Sequence, residues 1–372
     1  MGRPPGSVGR VAPYLLGAIG LAVIGLAAVG FIGSTGFAYD FAAYDLAARR
    51  LAGAQPLYPI GVAAAYNAGA YANLYLYPPP LAVALIPLTA LGPAAAAIAW
   101  FGLRVALLGA GCALLPVRRD VQVATFGIAA ISFPVLYDLN LGNLSIVLFA
   151  LSALVWRARE RPLAGVALAT ILSVRYSFAI VLLGWLVQRR FQAIGWTFAA
   201  GVLIALATLP IVGVAGWLDY MTILRSLRDI STGPHNLTLG TTGLALGLPA
   251  VLYGPLVAAE VIGAVVVTGF AALRRDAETA LVVSLAAAVL FGPFFHPHYL
   301  VALLIPAAFL AGRGRWWALG LPLLGWLPGE LLPLVAIAGM VLPLIARPAG
   351  GPDGTAQPAA TSLSRTERAP SS

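Results

Sequence analysis

Long apolar runs, broken by short polar or arginine-bearing stretches, fill the chain from residue 12 to about residue 346. The first run, 12–34, exceeds the ~20 apolar residues that a bilayer crossing needs. After it, Phe37, Phe41, Tyr44, Ala48 and Leu51 recur at helical spacing. That pattern predicts an amphipathic helix over 37–52, lying in the membrane interface. Tyr58, Tyr71, Tyr75 and Tyr77 follow as an aromatic belt, and Pro78-Pro79-Pro80 starts the next helix. Further on, 162–188 rises and returns with Arg175-Tyr176 at its turn. Residues 192–214 rise to a polar segment at 217–240, 255–273 descend, 278–295 rise to His296-Pro297-His298, and 299–312 descend. A last apolar pair spans 316–346. Between 79 and 137 two readings stand. Residues 79–116 make one broken crossing or two, divided at Leu91-Gly92-Pro93, and 121–137 crosses or only enters.

Lipid forces every backbone polar group to pair internally, so runs of this kind form helices. The weak alternation of a membrane barrel is absent. The expected fold is all-α: a polytopic helical bundle with about 10–13 transmembrane helices.

Composition agrees. Only 9% of the 372 residues are charged and 60% are hydrophobic, with a mean hydropathy of +0.92; a soluble domain carries about 25% charged residues. The net charge of +9 is carried wholly by arginine. The arginines cluster between apolar runs, at Arg3/Arg10, Arg118/Arg119, Arg157/Arg159/Arg161, Arg189/Arg190, Arg274/Arg275, Arg313/Arg315 and Arg347. Such spacing marks the cytoplasmic ends of helices and does not point to nucleic acid as a partner. With abundant Ala, Gly and Pro, it suggests a bacterial plasma-membrane protein. Cys112 stands alone, which excludes an intrachain disulfide and a thiolate metal cage. The opening run is too long for a signal peptide, and no clean cleavage site follows it. The expected division is a cytoplasmic N-terminus at 1–11, a transmembrane unit at 12–346 and a disordered Gly-, Pro- and Ser-rich cytoplasmic tail at 347–372. The external loop 35–78 is the expected catalytic segment.

Few polar side chains remain to carry chemistry. Asp40 opens the amphipathic helix, one turn from Tyr44 on the same face. It reads either as a helix cap or as a catalytic carboxylate. Arg175 interrupts an apolar run; it either snorkels to the interface or grips a phosphate through paired donors. His298 and His296 lie too far from other ligands for a metal site, so His298 is read as a hydrogen-bond donor or as a structural interfacial residue. His235-Asn236-Leu237-Thr238 offers groups for sugar hydroxyls, and Asp138 to Ser145 forms a polar turn that either binds or merely connects. No P-loop, His-Glu-x-x-His or Gly-x-Ser-x-Gly occurs. Neither does the Asp-x-Asp pair that holds metal in many nucleotide-sugar enzymes. Neither metal nor cofactor is expected.

In order and spacing, these pieces resemble glycosyltransferase family 87, the polyprenol-phosphate-sugar-dependent mannosyltransferases of the GT-C superfamily. Asp40-Phe41-Ala42-Ala43-Tyr44 matches the family's Asp-Phe-x-x-Tyr, with Gly53 and Leu57-Tyr58 after it. Tyr77-Pro78-Pro79 matches its Tyr-Pro-Pro, with Pro87 and Trp100 downstream. Asn236-Leu237-Thr238-Leu239 is similar to its Asn-Gln-Ser-Leu, and Gly292-Pro293 with His298-Tyr299 to its Ser-Pro leading to His-Tyr. The family's Gly-Gln-x-Asn stands here as Gly142-Asn143-Leu144-Ser145, and its lysine as Arg175.

The resemblance implies a GT-C-like bundle and inverting transfer on the extracytoplasmic face. The sugar, most simply mannose, leaves a polyprenyl phosphate for an envelope glycolipid or glycan. Asp40 is then the general base. Arg175 and His298 face the leaving phosphate, Tyr44 and Asn236 orient sugar hydroxyls, and Asn143 contacts substrate. The rival is a lipid or solute transporter or flippase, which shares many helices and an intramembrane arginine. Transporters carry internal repeats and mid-bilayer broken helices, whereas the polar residues here gather in outer loops.

Overall fold

The computed structural model describes residues 7–59, 61–68, 73–226, 236–292 and 295–345, with side chains from residue 11. His235, Tyr71, Pro293, Arg347 and the 347–372 tail lie outside them. Every regular element among the described residues is helical.

α1 (Ser7–Phe31) leads to α2 (Tyr39–Ala52), a short α3 (Val62–Asn67) and α4 (Pro79–Leu85), which a 3₁₀ turn extends to Ala90. α5 (Pro93–Leu114) is a full-length apolar span. α6 (Arg119–Ile131) and α7 (Phe133–Leu141) meet at a 64° bend. α8 (Ser145–Arg157) and α9 (Pro162–Leu172) follow; a 3₁₀ turn at Tyr176–Ala179 then leads into α10 (Ile180–Val187). α11 (Phe191–Ser226) is followed by α12 (Leu239–Ala245), α13 (Tyr253–Arg274) and α14 (Ala277–Ala287). A 3₁₀ segment, Pro297–Leu303, runs into α15 (Leu304–Gly312). Another, Trp316–Trp326, precedes α16 (Leu332–Ile345). Proline opens α4, α5 and α9 within the first turn, where its missing N–H costs nothing.

Among the described residues, four helices are long and apolar enough to cross a membrane, five if the bent α6–α7 pair counts as one span, and seven shorter apolar helices of 10–17 residues accompany them. The protein is thus an all-α polytopic membrane protein. The ambiguous 79–137 region resolves into a short helix, one complete span and a broken one. Ser132 and Pro134 make the break, since proline removes a helical N–H and disfavours helix in the residue before it. α11 continues past the expected end near 214 to Ser226, kinked near Pro210 and Gly213, whose φ is 72°.

Small residues let the helices approach closely. A Cβ on Gly127 would lie 2.4 Å from the Leu16 carbonyl, and one on Gly20 would lie 2.9 Å from Gly127. Because Gly17 faces Val123 and Gly20 faces Gly127, α1 and α6 run parallel. This puts their arginine-bearing starts at one end.

Charge pairs gather that end. Arg190 reaches Glu160, Arg159 lies 3.7 Å from Glu278, and Arg313 lies 3.8 Å from Asp276 and 3.6 Å from Glu278. Arg118 stacks over Trp316. The opposite end holds α2, the 138–145 turn, the Arg175 turn and the 295–299 segment. The legs leading to Arg175 are short. An 11-residue α9 is roughly 16 Å long, against a hydrocarbon thickness of roughly 30 Å. The Arg175 turn therefore sits within the depth of the bundle.

Candidate active site

Asp40 occupies the first turn of α2, behind an N-terminal residue, Ala38, in the left-handed conformation. No side chain caps this helix, so Asp40 supplies no capping bond, though its place in the first turn suits the helix dipole. Its carboxylate Oδ2 instead accepts a 2.6 Å hydrogen bond from the Asn143 Nδ2, 103 residues away. The Asn143 Oδ1 accepts from the Leu144 N–H at 2.6 Å, which fixes which end of the amide faces Asp40. Oδ1 of Asp40 has no partner among the described residues and the side chain is only partly covered.

The rest of α2 is held rigidly. The stripe expected to lie in the interface packs on protein: Phe41 is 1% exposed, Tyr44 2% and Ala48 0%. Its neighbours are α4, the 3₁₀ turn beyond it, α5 and α7. Phe41 stacks on Trp100 at 5.5 Å. At the far end Arg49 pairs with Asp45 and donates to the Thr89 and Leu91 carbonyls. At the near end the Ala38 N–H donates to the Asn140 carbonyl at 2.7 Å.

The 138–145 turn docks against that near end. Gly142 has φ 81°, and a Cβ there would lie 2.7 Å from the Cβ of Phe41. Both the conformation and the contact demand glycine. The Trp100 indole donates to the Gly142 carbonyl at 2.8 Å.

Tyrosines lie between Asp40 and Arg175. The Tyr44 hydroxyl donates to that of Tyr77 at 3.2 Å. Tyr77 lies within electrostatic reach of both Asp40 and Arg175. The Arg175 guanidinium sits 3.6 Å over the Tyr299 ring, and no carboxylate pairs with it among the described residues. His298 packs edge-to-face on Tyr299 at 4.6 Å and lies 6.0 Å from Tyr137. It is 4% exposed, and neither ring nitrogen has a hydrogen-bond partner among the described residues. On the other side of Tyr299 lies a narrow crevice with a cavity volume of only about 20 Å³, lined by Ser145, Phe149, Arg175, Phe178, Val289 and Tyr299 among others.

Burial raises the pKa of Asp40 above the ordinary 3.8, against the opposing pull of the Asn143 bond and the Arg104 charge. A partly covered carboxylate of raised pKa is a better proton acceptor than a freely exposed one.

The family model for glycosyltransferase family 87 matches residues 75–297. The chain belongs to glycosyltransferase family 87. It is therefore a membrane glycosyltransferase, and the transporter or flippase reading is set aside. The match contains Asn143, Arg175 and Asn236; it begins after Asp40 and Tyr44 and ends one residue before His298. No curated protein and no solved structure matches the chain.

The residues singled out in the sequence divide by what they touch. Asp40, Asn143, Arg175 and His298 converge around Tyr77, Tyr137 and Tyr299. Tyr44 is buried against Tyr77, with its hydroxyl already engaged. The Asn236 carbonyl accepts from the Phe295 N–H at 2.7 Å, and the Leu237 N–H donates to the Phe295 carbonyl. Asn236 thus clasps the segment carrying His298. Sequence reading passes over Arg104 and Tyr137, and takes Tyr299 only as part of the His-Tyr motif. A lone arginine inside the apolar Pro93–Leu114 span is itself a signal, because a charge there is costly and needs a partner.

Proposed function

We propose that this family 87 enzyme transfers a sugar, mannose first among the candidates, from a polyprenyl phosphate to an envelope glycolipid or glycan at the extracytoplasmic face of a bacterial plasma membrane, with Asp40 as general base. The observation that carries the reading is the Asp40 carboxylate. One oxygen is fixed by Asn143, the other has no partner among the described residues, and burial lifts its pKa.

In the reaction, the acceptor hydroxyl oxygen attacks the anomeric carbon from the face opposite the phosphate. The bond between that carbon and the phosphate oxygen breaks, and the phosphate leaves with the electron pair. The hydroxyl proton passes to the free oxygen of Asp40, and the anomeric configuration inverts. A positioned base is worth about 10²–10⁴ in rate. The leaving phosphate is already anionic and needs charge stabilisation, not protonation. Arg175, stacked on Tyr299 without a carboxylate, has donors for it. His298 brings two ring nitrogens that no protein group uses. The extracytoplasmic assignment rests on Asp40 lying at the end opposite the arginine clusters.

The test incubates the purified protein and an Asp40→Asn variant with radiolabelled polyprenyl-phosphate mannose and membrane lipid extract. Labelled product from the wild type alone is expected. Equal product from both removes Asp40 from the base's role. If the mannose donor stays intact while another polyprenyl-phosphate sugar is consumed, mannose is wrong and the rest stands. If nucleotide-sugars alone are consumed, the lipid-phosphate donor is wrong.

A further inference from the structure

Beneath Asp40 lies an ion pair that the reaction as written does not use. Arg104 and Asp138 are both 0% exposed, and their side chains approach to 3.4 Å. Burying two charges in a membrane protein is costly and persists only where the geometry satisfies them. Here the guanidinium does more than neutralise. One arm donates to the Asp138 carbonyl and the other to the Leu139 carbonyl at 2.9 Å. Those carbonyls lie in the last turn of α7, where helix geometry leaves acceptors unpaired and negative potential accumulates. Asp138 closes the turn from the other side. Its carboxylate accepts from the Ser145 N–H at 2.9 Å, and its carbonyl accepts from the Gly142 and Asn143 N–H groups at 3.0 and 3.3 Å. One helical turn before Arg104, Trp100 holds the Gly142 carbonyl and stacks on Phe41, the neighbour of Asp40.

The Arg104–Asp138 pair therefore reaches Asp40 by two routes. The turn it builds ends in Asn143, whose amide grips the carboxylate. Its positive member also acts on Asp40 through the field. We propose that Arg104 and Asp138 are positioning residues for Asp40: the pair sets the orientation of Asn143 and the local field in which Asp40 takes the acceptor's proton. This rests on the reading of Asp40 as base. The other groups around Asp40 are Tyr44 on its own helix, Tyr77 before α4, and Tyr137 on α7. All three are neutral at the pH of assay, so Arg104 and Asp138 are the charges that set the field.

A pair that only stabilised the fold would lower the melting temperature and leave the pH profile in place. The proposal predicts opposite displacements. Arg104→Gln removes the positive member, so the acid limb of kcat against pH moves up, by about half to one unit. Asp138→Asn leaves Arg104 uncompensated, so the limb moves down. Arg104→Lys keeps the charge but not the planar fork. It holds the limb near the wild-type position while kcat at the plateau falls about 10- to 100-fold, with donor KM unchanged. Arg104→Lys with Asp138→Asn carries the test should Arg104→Gln fail to fold, as judged by thermal melting of the purified protein. Limbs that stay at the wild-type position in Arg104→Gln and Asp138→Asn, or that move the same way, overturn the proposal. So does undiminished kcat in Arg104→Lys where that variant carries it. Failure of the parent reading is separately visible, as full activity and an unchanged acid limb in Asp40→Asn.

Discussion

The two ends of this bundle use charge differently. At the arginine-rich end, cations meet carboxylates. Arg190 lies on Glu160, Arg159 near Glu278, and Arg313 between Asp276 and Glu278, while the Trp156 indole also donates to Glu278. At the other end Arg49–Asp45 and Arg104–Asp138 still pair, but the groups proposed to meet substrate stay apart. Asp40 faces an amide, Arg175 faces an aromatic ring, and His298 has neither ring nitrogen engaged. Paired charges fasten helix ends to each other. Charges held apart by neutral groups keep their field for something that arrives later.

Removing one carboxylate from each end tests this difference most severely. Asp40→Asn is expected to lower kcat by about 10²–10⁴. Its melting temperature at neutral pH should not fall. The folded pKa of Asp40 is raised, so its contribution to stability is present below the unfolded value and lost as pH rises through the folded one. Glu160→Gln, whose side chain is 68% exposed, is expected to leave kcat unchanged. Comparable losses of activity in the two variants would dissolve the distinction between the ends.

His298 sharpens the comparison within the site. His298→Phe retains the ring and its packing on Tyr299 and removes two nitrogens that the fold does not use. Folding should tolerate it, because no buried partner is left unsatisfied. Turnover should fall about 10²–10³-fold, the usual cost of one donor to a developing anion. Asn236→Ala should do the reverse first: it strands the Phe295 N–H and lowers the melting temperature. A His298→Phe enzyme with normal kcat, or one that melts far earlier than wild type, would make His298 a packing residue.

Much of this was legible along the chain. The apolar spacing marked α2 to within two residues of its start and on the correct face, and it marked the arginine clusters as helix ends. Asp40, Arg175 and His298 stood out because polar side chains are scarce against so apolar a background. What sequence spacing does not carry is who meets whom. The Asn143–Asp40 bond joins residues 103 apart, and it depends on the 64° bend between α6 and α7 that turns the 138–145 segment back toward α2. A proline near a helix start announces a break there but not its angle. The same ignorance of packing explains Tyr44 and the interfacial stripe. Periodicity shows that one face is apolar, not whether lipid or α4 and α5 will cover it. Gly142 shows this most plainly: its need for glycine comes from Phe41, a residue about a hundred positions earlier.

The pH profile is a finer probe. As base, Asp40 works only when ionised, and burial raises its pKa from 3.8. Activity should therefore fall on acidification at a pH above the ordinary carboxylate range. Because the Asn143 bond favours the ionised form, Asn143→Ala should displace the acid limb further up while leaving a functional base. A limb at the ordinary carboxylate value would mean that the site opens to water in the working enzyme.

The smallest effect belongs to the arginine-rich end, and it decides whether the ends are independent. Arg313 lies 3.9 Å over Phe309 as well as near its two carboxylates, with a side chain 15% exposed beside partners that are 52% and 28% exposed. Pairs as exposed as these are worth about 0–1 kcal/mol each. Arg313→Met keeps the stem against Phe309 and removes the charge. It should therefore lower the melting temperature by only a few degrees, and high salt, which screens the same pairs, should shrink the difference. Turnover and its pH profile should be those of the wild type. A displaced acid limb in Arg313→Met would show that the clamp at one end sets the geometry at the other. The separation of fastening charges from working charges would then be a coupling between them.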